Sequence, residues 1–69
     1  MTNVSVLKGK IAENNMTQEG VADEMGINRS TFYRKMKENG KSFTVEEVHK
    51  LIEILSLSNT EVMKIFFTY

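Results

Sequence analysis

Apolar residues along this chain recur at three- and four-residue steps, and no β-branched stretch alternates apolar and polar positions, so the pattern predicts helices throughout and no strand. Five helices are the simplest parse. The first runs from about Val4 to Asn14, with Val4, Leu7 and Ile11 on one face. The second follows Thr17, a good N-cap, and places Val21, Ala22 and Met25 together before Gly26 stops it. The third follows Asn28, another N-cap, and extends to about Asn39 with Gly40 beyond it. Thr44 opens the fourth, and Glu47 three residues on completes a capping box; its inner stripe is Val45, Val48, Ile52 and Leu55, with Leu51 alongside. Ser58 and Glu61 repeat that signature at the fifth, which carries Val62, Ile65, Phe66 and Tyr69 on one stripe. Gly9 and Gly20 sit inside helical patterns, where each costs about 1 kcal/mol relative to Ala.

The segment 16–40, MTQEGVADEMGINRSTFYRKMKENG, has the physical requirements of a helix-turn-helix. Small Ala22 suits the point where two helices cross, and Gly26 tolerates the left-handed backbone of the turn. Ile27 is placed to plug the angle between the helices, and Phe32 with Met36 gives the second helix its inward stripe. At 100° per residue, Ser30, Arg34 and Lys37 lie opposite that stripe, with Arg29 and Tyr33 on one flank and Thr31 and Lys35 on the other. Such a face suits a nucleic-acid duplex. Arg reads guanine O6 and N7 bidentately, Lys and Ser hold phosphates, and Tyr donates to a phosphate or meets a thymine methyl. Base contacts are therefore expected from Arg29, Ser30, Tyr33 and Arg34, and phosphate contacts from Thr31, Lys35 and Lys37.

Residues 7–40 resemble the phage repressor/Cro, or lambda-repressor-like (XRE), helix-turn-helix family through Thr17-Gln18, Ala22, Gly26-Ile27 and Arg29-Ser30-Thr31. The later segment SFTVEEVHKLIEILSLSNTEVMKIFF resembles that family's fourth and fifth helices. The resemblance implies an all-α, five-helix lambda-repressor-like domain over residues 1–69, with its motif over about 17–39. It further implies that Gln18 holds a phosphate, that Arg29, Ser30 and Arg34 face base edges, and that Asn28 and Lys41 lie near the DNA backbone. Two positions depart from the family pattern. Lys35 stands where an apolar residue is usual, with the apolar Met36 one position later, which would fit a longer or rotated third helix; Gly20 stands where a helix-favouring residue is usual.

At 69 residues the chain is near the lower limit for a core without staples, and it has no Cys to supply a disulfide. Its hydrophobic fraction of 41% and charged fraction of 26% are those of an ordinary globular domain rather than a disordered one. No apolar run approaches the roughly 18 residues of a membrane span, and the N-terminus lacks the apolar block of a signal peptide, so a cytoplasmic protein is expected. Net charge is zero, but Arg29, Arg34, Lys35, Lys37 and Lys41 face Glu38 alone within 29–41, while the segments on either side are acidic on balance. A neutral protein with one positive face can still release counterions from DNA.

With a single His, no Cys, no phosphate-cradling Gly-rich loop and no metal-ligand spacing, no enzymatic activity, cofactor or small-molecule ligand is expected. His49, beside the stripe of the fourth helix, is read as a boundary residue. On the fifth helix Met63 and Phe67 point away from the Val62 stripe, and the family resemblance implies pairing there. The expectation is a homodimer through about 59–69, using Met63, Phe66, Phe67 and Tyr69, on an inverted-repeat operator with half-sites about 34 Å apart; the alternative is a monomer in which both aromatics are core. The competing reading is a helix-turn-helix fold that binds a protein partner, such as an antirepressor, and reads no DNA.

Overall fold

The computed structural model describes residues 2–67, which form five helices in the order α1 (Val4–Glu13), α2 (Gln18–Met25), α3 (Arg29–Lys37), α4 (Val45–Leu55) and α5 (Asn59–Phe66), with no strand among the described residues. Each helix starts where a short polar side chain can take a free first-turn N–H. Asn3 accepts from Val6, Thr17 from Gly20, and Asn28 from Ser30. Thr44 with Glu47 and Ser58 with Glu61 form complete capping boxes. Within these bounds no helix is long and apolar enough to cross a membrane.

The core is made by Leu7 and Ile11 of α1, Val21, Ala22 and Met25 of α2, Phe32 and Met36 of α3, Leu51 and Leu55 of α4, Leu57, and Ile65 and Phe66 of α5. α2 lies centrally, packed on α1, α3 and α4, while α1 also meets α5. Phe43, between α3 and α4, lays its ring against Phe32 with centroids 5.9 Å apart. The chain start is tied to the far end of the fold by the Asn3 N–H, which donates to the Ile65 carbonyl at 2.6 Å. Lys10 of α1 pairs with Glu61 of α5 beside it.

Two expectations about the helices change. α3 stops at Lys37 rather than Asn39, because Asn39 (φ +60°) and Gly40 (φ +69°) both turn left-handed and the Gly40 N–H bonds back to the Lys35 carbonyl. Val45 does not join the inner stripe of α4. It is the first residue of the helix, reaches past the edge of the packed face, and is 76% exposed. Leu51 and Leu55 carry the burial instead, with Val48, Ile52 and Ile54 partly covered.

Candidate nucleic-acid interface

The angle between α2 and α3 is set by local chemistry. Gly26 ends α2 at φ +74°, and its N–H and that of Ile27 close on carbonyls of the last α2 turn. From α4, the Lys50 ammonium donates to the Met25 carbonyl at 3.1 Å, so the negative end of α2 meets a cation. Ile27 is partly buried against the core at the turn. Asn28 then opens α3, its Oδ1 accepting from the Ser30 N–H at 2.9 Å and the Ser30 hydroxyl at 2.6 Å.

With Phe32 and Met36 buried, α3 turns Arg29, Ser30, Tyr33, Arg34 and Lys37 outward, and Thr31 sits partly covered at the margin. The expected base-facing set thus lies on one exposed surface. Lys35 does not belong to it. It is 8% exposed, and its ammonium meets Glu47 at 2.6 Å and the Ser42 carbonyl at 3.2 Å. The position where the resemblance expects an apolar residue is therefore filled by a lysine whose stem is buried and whose charge is met internally, and α3 buries it together with Phe32 and Met36.

Both arginines of the face are engaged by the chain's own acids. The Arg29 guanidinium forms a fork with Asp23 of α2, Nε to Oδ1 at 3.1 Å and Nη2 to Oδ2 at 2.7 Å. This fork lowers the Asp23 pKa and raises that of Arg29. Arg34 reaches Glu38 at 3.2 Å, and the Ser42 hydroxyl donates to the same carboxylate oxygen. Glu19 lies one turn before Asp23; the Tyr33 hydroxyl lowers the pKa of its carboxyl, and the carboxylate in turn raises the tyrosine's pKa.

At the other end of the face, Gln18, Tyr33, Met36 and Lys37 line a cleft of about 400 Å³ together with Lys8 of α1. Gln18 is the first residue of α2, where the helix dipole favours an anion. Two lysines and an amide around such a cleft suit a phosphate. Lys8 is absent from the sequence-derived set, since nothing local marks it and its place depends on how α1 packs across α2. Asn28 and Lys41 are exposed at either end of α3, although the Asn28 side-chain oxygen is committed to its cap.

The expected pairing residues divide. Met63 and Phe67 are 59% and 52% exposed, whereas Phe66 is buried in the core because it continues the Val62 stripe inward, and so offers no surface for pairing. Tyr69 lies outside the described residues. Val45 and Phe67 border an apolar groove of about 390 Å³ whose floor includes Phe43, Val48, Ile52 and Val62.

No curated protein and no solved structure matches the chain. A family model for the Cro/C1-type HTH DNA-binding domain matches residues 6–67, nearly the full length, and the chain belongs to that family.

Proposed function

We propose that this DNA-binding domain is a sequence-specific regulator of transcription, a repressor of phage or prophage type. In this reading α3 enters the major groove and two copies act on an inverted-repeat operator. The observation that carries it is the division of α3 into a buried face of Phe32, Lys35 and Met36 and an exposed face of Arg29, Ser30, Tyr33, Arg34 and Lys37. Arg29 and Arg34 supply base-reading forks, while Gln18, Lys8 and Lys37 around the cleft, with Thr31, Asn28 and Lys41, supply phosphate contacts. A second copy of the chain is the proposed cover for Met63, Phe67 and the adjoining groove, since an exposed apolar patch of this kind marks a contact surface.

Selection from a randomised duplex library at about 150 mM salt tests the reading. An enriched inverted repeat supports the dimeric reader, and a single short site supports DNA reading without the dimer. No enrichment by folded protein favours the protein-binding alternative. On the enriched site, Arg34→Ala is expected to weaken specific binding more than binding to random duplex. Lys37→Ala is expected to weaken both alike and to flatten the salt slope by about one unit. Equal losses on both duplexes for Arg34→Ala would remove it from the base-reading set.

A further inference from the structure

We propose that Asp23 is a positioning residue for sequence recognition: from the last turn of α2 it holds the Arg29 guanidinium side-on, so that the end-on edge of that fork is fixed for reading a base pair. The inference rests on the reading that α3 faces a duplex, and it assigns a specificity role to an acid that the phosphates of a duplex repel.

The geometry is specific. Asp23 takes Nε and Nη2 of Arg29 with separate oxygens, a two-point contact that sets the plane of the guanidinium as well as its distance. A side-on carboxylate uses one hydrogen on Nε and one on Nη2. The remaining Nη1 and Nη2 hydrogens form the end-on pair, which matches the O6 and N7 acceptors of guanine. Burial does not fix this arrangement, since the Arg29 and Asp23 side chains are 58% and 53% exposed. What holds Arg29 is the fork itself, across a turn already fixed by Gly26 and the Asn28 cap.

Asp23 also acts against indiscriminate binding. A carboxylate beside the reading face opposes the phosphate field, which weakens contact with any duplex. A correctly placed guanine can offset this through the ordered end-on edge. Loss of Asp23 should therefore move specific and non-specific affinity in opposite directions, a signature that a residue serving the fold alone would not give.

The experiment measures binding of wild type, Asp23→Asn, Arg29→Lys, Arg29→Ala and the Asp23→Asn/Arg29→Ala pair to the selected site, its single-base-pair variants and random duplex at one salt concentration. Asp23→Asn is expected to bind random duplex about two- to threefold better than wild type, through the lost negative charge. It should bind the selected site about tenfold more weakly, with preference relaxed at the base pair that Arg29→Ala relaxes. Arg29→Lys, which keeps the charge without the fork, should relax the same position. In the Arg29→Ala background the Asp23 change should leave specificity where it was. If Asp23→Asn keeps the wild-type preference, or its loss persists without Arg29, the positioning role is overturned while DNA reading stands. If wild type itself shows no preferred site, DNA reading fails and the inference fails with it.

Discussion

Lys35 shows how a charged side chain can occupy a position that the helix pattern reserves for an apolar one. Its methylene stem completes the inner face of α3, and its ammonium lies 6.0 Å from the centre of the Phe43 ring while meeting Glu47. Glu47 serves two elements at once. Its Oε1 accepts both from Lys35 and from the Thr44 N–H at 2.9 Å, so the carboxylate that caps α4 also neutralises α3. Burial pushes the Glu47 carboxyl up, but Lys35 and the Thr44 N–H together outweigh it and hold it below its ordinary value. The two side chains are 10% and 13% exposed, so removing the acid alone leaves a nearly buried cation without its counter-charge. Glu47→Ala is therefore expected to cost about 3–5 kcal/mol, including about 1 kcal/mol from the lost cap. Lys35→Met should cost much less, because methionine refills the apolar space and Glu47 keeps its backbone partner. Urea unfolding of both variants checks the asymmetry, and equal losses would show that the stranded Lys35 ammonium is not what makes removal of Glu47 costly.

At the scale of elements, the two left-handed glycines close helix ends in different surroundings. Gly26 has φ +74° and open space where a Cβ would stand. Gly40 has φ +69°, and a Cβ there would lie 2.7–2.9 Å from the Thr2 side chain. Gly26→Ala should thus incur only the left-handed penalty of about 1–2 kcal/mol, whereas Gly40→Ala should incur that and a clash with the chain start. Thermal or urea unfolding is expected to rank Gly40→Ala as the more damaging, and Thr2→Gly should bring its cost back to that of Gly26→Ala. Features that act over a few residues were legible in the sequence: the caps at Thr17, Asn28, Thr44 and Ser58, the stop at Gly26, and the outward rotation of Arg29, Ser30, Tyr33 and Arg34. Features that depend on what another helix brings were not. Lys35 turns inward because Glu47 and Ser42 wait for it, Val45 overhangs because α4 begins beyond the packed face, and Lys8 reaches the cleft through the packing of α1 on α2.

Across the whole molecule, a small core without disulfides depends on contacts that join distant parts of the chain. The α1–α5 closure is such a place. There Asn3 meets the Ile65 carbonyl and Lys10 meets Glu61, which also caps α5. The Lys10 ammonium, followed by the Ser58 N–H, lowers the Glu61 carboxyl from its ordinary 4.5 to about 2. Below about pH 4.5 the unfolded chain binds a proton at this position that the folded chain still refuses, so acid draws the equilibrium toward unfolding. The contribution of Glu61 is present in full above its unfolded value and is lost as pH falls through about 2. Lys10 has the opposite sign: its raised pKa contributes in full below 10.5 and is lost only as pH rises above that value. Glu61→Gln separates the charge from the cap, since an amide oxygen can still accept from Ser58. The stability gap between wild type and Glu61→Gln should be constant from about pH 6 to 9, where neither group titrates in either state. It should narrow steadily in acid and be nearly closed near pH 2. Urea midpoints taken across that range check it; a gap as wide near pH 2 as at pH 7 would show that the α1–α5 closure does not depend on the charge of Glu61.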